Sequence, residues 1–230
     1  MQELRPRLRA VADMVAPGRV VADIGTDHAY LPAWLLLNGV TPYVIACDIG
    51  EKPLQNAAET VAVYHLAGKI DLRVSDGLQN VRPEEYGAVT ICGMGGTLIA
   101  EILEKAVLPA DVQLVLQPMT HAEDVRAWLC RPGFAIGREV CVKDAGRVYC
   151  CMAAQRGNEP RRDEPGYWYF GALSGETEEE RAMLRKTAAR VKKRADSLAA
   201  VGRFPEEQAL LRRVLDDYET NYHHDRKRHL

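Results

Sequence analysis

Acids and glycines recur where short apolar runs stop. Asp23 and Gly25 follow Val20-Val21-Ala22, and Asp48 closes Tyr43–Cys47, 25 residues after Asp23. Asp76-Gly77 comes after Ile70–Val74, and Gly93-Met94-Gly95-Gly96 comes after Ala88–Cys92. A carboxylate can hold an ammonium group or ribose hydroxyls, and a glycine lets backbone N–H groups come close enough to a ligand to hold a carboxylate. The set suits an adenosyl group with a methionine tail. Asp23 would take the ammonium, the amides around Gly25 the carboxylate, and Asp48 the ribose. Asp76 would accept from the exocyclic amine of the adenine, with Gly77 bordering the ring. Acids at strand ends are common singly; four ends in register are more specific.

Such positions need a scaffold that brings strand ends to one rim. Val20–Ile24 reads as a buried strand running into a tight turn, with a helix starting near Tyr30-Leu31-Pro32. Strands follow at Tyr43–Asp48, Ile70–Val74, Ala88–Cys92 and Val112–Leu116, the last closed by Gln117-Pro118. Helical runs at Glu51–Leu66, Thr97–Lys105 and Ala122–Cys130 lie between and behind them. Strands alternating with helices predict an α/β, doubly wound parallel sheet. Phe134–Val142 and Arg147–Ala154 then form a hairpin around Lys143-Asp144-Ala145-Gly146. A parallel sheet finished by an antiparallel hairpin resembles the seven-stranded, Rossmann-like sheet of class I S-adenosylmethionine-dependent methyltransferases. A nicotinamide site fits less well: it wants G-x-G-x-x-G after the first strand, where this chain has G-T-D-H-A-Y.

Beyond a Pro- and charge-rich link, Arg156–Gly166, the composition shifts. Thr177–Ala200 and Pro205–Tyr222 read as two helices joined at Gly202-Arg203-Phe204-Pro205. Leu184, Val191 and Leu198 repeat every seven residues, facing a stripe of Leu211, Val214, Leu215 and Tyr218, which predicts a C-terminal α-helical hairpin of coiled-coil kind. Two domains are expected, residues 1–156 and 157–230.

The 230 residues, 47% hydrophobic, suffice for a filled α/β core plus an appendage. No apolar run is long enough to span a membrane, and Met1–Arg7 lacks the apolar core of a signal peptide, so a cytoplasmic location and no membrane partner are expected. Six cysteines show no C-x-x-C pair and no metal-ligand spacing, so they read as reduced small hydrophobes and no metal is expected. The net charge of −2 hides a split: residues 1–159 carry 15 Lys+Arg against 19 Asp+Glu, and residues 160–230 carry 15 against 13. Arg181–Arg194 alone holds seven basic residues and no acid, either a solvated helix face or a phosphate-binding stripe.

The combination A-D-I-G-T-D-H-A-Y-L-P (Ala22–Pro32), S-D-G-L (Ser75–Leu78), G-M-G-G (Gly93–Gly96) and L-Q-P (Leu116–Pro118) resembles the bacterial tRNA adenine-22 N1-methyltransferase family. So do the start, Leu4-Arg5-Pro6-Arg7-Leu8, and Tyr167-Trp168-Tyr169-Phe170-Gly171. The resemblance implies methyl transfer from S-adenosylmethionine to N1 of an adenine in tRNA. It puts the cofactor on Asp23, Gly25, Thr26, Asp27, Asp48, Ile49, Asp76 and Gly77, with Gly93 and Met94 near the sulfonium. It also implies a helical domain that helps grip tRNA, which favours phosphate contacts from Arg190, Lys192 and Lys193. Arg7, in the matching start, goes with the substrate, as do Gln117 and Pro118 at its face. A monomer is favoured.

Adenine N1 carries an in-plane lone pair, so alignment in a dry pocket matters more than proton removal. The methylated ring is cationic, and Asp27 is the residue expected to stabilise it; His28 and Tyr30 are expected to hydrogen-bond to or stack on the base. Plainer roles are a helix cap for His28 and packing for Tyr30. A methyltransferase with a non-tRNA substrate, or an idle RNA-binding module on the same fold, are the alternatives.

Overall fold

A computed structural model describes residues 3–131, 133–161 and 163–222. Met1 and Gln2, from the stretch read as lacking a leader's core, and Arg162 of the link lie outside them. The chain forms two compact units, residues 1–159 and 160–230.

The first unit is built on one sheet. Its parallel strands are β1 (Val21–Ile24), β2 (Val44–Asp48), β3 (Ile70–Val74), β4 (Ala88–Gly95) and β5 (Gln113–Thr120). The hairpin β6 (Phe134–Asp144) and β7 (Arg147–Arg156) completes the order β3-β2-β1-β4-β5-β7-β6, with β7 antiparallel to both neighbours. β1 is buried along its whole length and β2 through Cys47, as parallel strands covered on both faces must be, which is why they read as unbroken apolar runs. The turn from β6 to β7 is two residues, Ala145 at φ 49° and Gly146 at φ 77°, the backbone that matches the twist of a tight hairpin. Helix α1 (Pro6–Ala12) precedes β1, and between the strands run α2 (Tyr30–Leu37), α3 (Glu51–Val63), α4 (Gly96–Glu104) and α5 (Ala122–Cys130).

Several features depart from the sequence-based expectation, among them helix α6 at Pro165–Phe170, which starts inside the expected link. β4 and β5 run past their expected ends, Cys92 and Leu116, to Gly95 and Thr120. Pro118 survives inside β5 because it pairs with Met94 where the ladder is irregular, so its missing N–H breaks no regular bond. Helix α1 was not anticipated at all. None of the six cysteines is in a disulfide among the described residues, and burial pushes the pKa values of Cys47 and Cys151 up to about 12, far from reactive.

The second unit is helical: α6 (Pro165–Phe170), α7 (Glu178–Val201) and α8 (Pro205–Tyr222). Thr177 caps α7 by accepting from the Glu180 N–H, and Gly202 ends it in the left-handed region at φ 65°. Leu184, Val191 and Leu198 of α7 and Leu211 and Val214 of α8 are buried, while Leu215 and Tyr218 are half-buried. Phe170 packs on Tyr218 and Tyr222, ring centroids 5.3 and 5.9 Å apart.

Candidate active site

The strand order reverses between β1 and β4, and in such sheets the crevice beyond the carboxyl ends of the strands is where ligands bind. Asp23 sits there, in register with Ala46 on one side and Thr90 on the other. Its carboxylate accepts from the Thr90 hydroxyl at 2.6 Å and from the Thr26 hydroxyl. Burial raises its pKa, and the two hydroxyls, which favour the ionised form, oppose the rise. Thr90 was invisible as a partner in the sequence, because only pairing of β1 with β4 brings it opposite Asp23.

Gly25 turns the chain at φ 81°, and a Cβ there would run into Met94 Cε. The N–H groups of Gly25 and Thr26 both donate to the Cys47 carbonyl, at 2.8 and 2.9 Å. Next come Asp27, whose Oδ1 accepts from Asn56 Nδ2 at 3.4 Å, and His28, whose Nε2 lies 3.6 Å from Asp27 Oδ2. The His28 and Tyr30 rings stack, centroids 5.1 Å apart and 7° from parallel. Tyr30 is 45% exposed, so it does not simply pack. Nor does His28 cap the helix: the N-cap of α2 is Ala29, at φ 50° with no side-chain cap. A non-glycine residue in that region is strained, and here the strain adjoins the stacked His28 and Tyr30 rings.

A cavity of about 590 Å³ opens beside this loop, within the range of small-molecule sites, roughly 300–1,000 Å³. Of the residues singled out by sequence, Arg7, Asp23, Gly25, Thr26, Asp27, His28, Tyr30 and Gly93 line it. The others stand apart from its wall. Asp48 is half-buried and accepts from the Gly50 N–H at 2.8 Å, and Ile49 is 72% exposed. Asp76 is exposed and accepts from Gln79 Nε2 at 3.1 Å. Gly77 is buried at φ 58°, where a Cβ would stand 2.8 Å from Ile102 Cγ2, so packing against α4 demands a glycine there. Gln117 and Pro118, expected at a substrate face, are buried. Gln117 Oε1 instead accepts from the Gly93 N–H at 3.2 Å and from Arg7 Nη1 at 3.1 Å.

The wall also contains Glu3, Leu4, Arg5, Leu8 and Tyr64, which sequence reasoning passed over. A signal existed for α1: Pro6 suits a first helical turn, and Leu8, Val11, Ala12 and Val15 follow helical spacing. Among the described residues no cluster of His, Cys, Asp and Glu could hold a metal ion, and no helix is long and apolar enough to cross a membrane.

On α7 the basic residues divide. Arg181 donates to the Gly175 and Glu176 carbonyls, Arg194 pairs with Glu207 at 3.0 Å, and the Arg190 guanidinium lies 5.9 Å from the centre of the Tyr169 ring. Arg185, Lys186, Lys192 and Lys193 are exposed and, at 100° per residue, share the face turned away from Leu184 and Val191.

The family described as "Methyltransferase domain" matches residues 4–152. The tRNA (adenine(22)-N(1))-methyltransferase of Bacillus subtilis strain 168 is 40% identical over 158 residues, 68% of this chain and 66% of that protein. Among solved structures, the B. subtilis M1A22 tRNA methyltransferase TrmK superposes with a TM-score of 0.81 at 30% identity, covering 95% of this chain and 97% of that one. M. capricolum TrmK, in complex with the cofactor product S-adenosyl-homocysteine, gives 0.81 at 26% identity over 95% and 99%.

Proposed function

The chain belongs to the methyltransferase-domain family and, within it, to the tRNA (adenine(22)-N(1))-methyltransferases, and from that we propose that it methylates N1 of adenine 22 in tRNA in the cytoplasm. The observation that carries the reading is the rim itself: the Asp23–Tyr30 loop and Gly93 border one cavity, with a carboxylate and a stacked aromatic pair on the same wall.

S-adenosylmethionine fits this rim. Gly25, at φ 81°, adds no side chain of its own to the turn, and the cavity bears both signs of charge, as a zwitterionic tail requires. When bound, the cofactor supplies a methyl group on a sulfonium. Asp48 and Ile49 would hold the ribose side, Asp76 and Gly77 the adenine, and Gly93 and Met94 the region of the sulfonium. Asp23, its carboxyl group held in place by the Thr26 and Thr90 hydroxyls, would lie beneath the ammonium.

The remaining work falls on positioning. Adenine N1 is a Watson–Crick edge, so the target base must leave its stack before it can react. Tyr30 and His28 offer a flat surface on which it can lie. Asp27, exposed beside them, stabilises the positive charge that the ring acquires, and it need take no proton to do so. In the second unit, Arg190, Lys192 and Lys193 would contact tRNA phosphates, joined by Arg185 and Lys186 on the exposed face. Nucleoside mass spectrometry of tRNA incubated with the protein and S-adenosylmethionine tests this directly. N1-methyladenosine is the expected product; tRNA left unmethylated while the cofactor binds would reject the substrate.

A further inference from the structure

The amides around Gly25 are not available to a ligand carboxylate, since the Gly25 and Thr26 N–H groups both donate to the Cys47 carbonyl. A methionine tail in the cavity therefore needs another positive partner. Arg7 lines the same cavity from α1. Its Nη1 donates to Gln117 Oε1 at 3.1 Å, and its Nε lies 3.3 Å from Asp144 Oδ2. Asp144, the last residue of β6, is buried, and among the described residues its Oδ2 accepts no hydrogen bond; the Arg7 ion pair is its company.

Gln117 Oε1 also accepts from the Gly93 N–H, and a Cβ on Gly93 would stand 3.5 Å from Arg7 Nη1. The guanidinium is thus fixed on one side to β5 and β6, next to Gly93 of β4. A guanidinium has five N–H donors in a planar fork that matches a carboxylate, and Gln117 and Asp144 do not exhaust them.

We propose that Arg7, held by Asp144 and Gln117, clamps the carboxylate of the cofactor's methionine moiety, with Asp144 as its positioning residue. This rests on the S-adenosylmethionine reading, and it moves Arg7 from the substrate, where sequence put it, to the cofactor. The cavity's charges favour a zwitterion over a phosphate: Glu3, Asp23 and Asp27 line it together with Arg5 and Arg7, so a purely anionic group would meet three carboxylates. Asp144 also gives the hairpin a use, because the tight turn at Ala145-Gly146 places that carboxylate at the end of β6.

Calorimetric titration of the full chain with S-adenosylmethionine and with its decarboxylated analogue, which keeps the ammonium and the sulfonium, tests the clamp. Wild type should prefer the intact cofactor. Arg7→Ala should weaken it by roughly 10- to 100-fold while moving the analogue by no more than about twofold, which collapses the preference. Asp144→Asn should lose part of the preference with Arg7 still present, as positioning predicts. Should Arg7→Ala fail to fold with Asp144 left unpaired, the double variant Arg7→Ala/Asp144→Asn removes that charge and reads the same preference. A preference that survives loss of the guanidinium, an equal weakening of both ligands, or lost tRNA affinity with intact cofactor binding would each overturn the clamp. Wild type that binds neither compound would sink the cofactor reading itself.

Discussion

Replacing Gly25 by alanine separates the two reasons a glycine stands at the end of β1. The residue sits at φ 81°, where an L side chain costs roughly 1–2 kcal/mol. The new methyl would also meet Met94 Cε, but that atom is the far end of a flexible side chain and can swing aside at little cost. Stability should therefore fall by about 1–2 kcal/mol, which for a unit of this size lowers Tm by roughly 2–8 °C. Affinity for S-adenosylhomocysteine should fall as well, because Gly25 lines the cavity and the new methyl and the Met94 side chain it meets compete for space beside it. Melting curves and calorimetry on Gly25→Ala, alone and combined with Met94→Ala, read the two effects apart. Trimming Met94 should leave the Tm loss in place and restore only part of the affinity. Unchanged affinity in a destabilised Gly25→Ala would refute the cradle and leave the glycine as a turn residue.

Asp27→Ala should cut turnover by on the order of tenfold or more while tRNA affinity stays within about twofold; equal losses of both would make the loop merely structural. Changing Arg190, Lys192 and Lys193 to Ala should weaken tRNA binding and flatten its dependence on salt, by roughly 0.7–0.9 in the log–log slope for each phosphate no longer neutralised, and an unaltered slope would put the RNA face elsewhere. Asp23→Asn tests the buried carboxylate. Burial holds its pKa above the ordinary value in the folded chain, so the stability it contributes is present below about pH 4 and is lost as pH rises through the folded value. The Tm of Asp23→Asn relative to wild type should climb from about pH 4 upward; a constant difference between pH 4 and 8 would contradict it. Glu85 works in the opposite direction: its hydrogen bonds from Arg73 hold it down to about 2, so Glu85→Gln should lower Tm at neutral pH by an amount that shrinks as pH falls from 4.5 toward 2.

The apolar runs of β1 and β2 and the polar letters that end them were legible because buried parallel strands leave little room for ambiguity. Pro205–Tyr222 was readable to the residue, with proline to start it and a clean apolar stripe. What could not be read was pairing. Nothing near Arg7 in the sequence names Asp144, 137 positions away, and nothing near Gly25 announces that the Cys47 carbonyl takes its amide. Gln117 was expected at a substrate face because Gln117-Pro118 was read as closing the fifth strand, yet the ladder between β4 and β5 carries the strand onward and buries it. Its amide became a brace for Arg7 and Gly93.

The most direct measurement is a crystal structure of the protein soaked with S-adenosylhomocysteine. The thioether nucleoside should lie along the carboxyl ends of β1, β2 and β4, its amino-acid tail between the Gly25–Asp27 turn and Gly93. Density at the opposite edge of the sheet would contradict the central claim, and so would a fully soaked crystal with that rim empty.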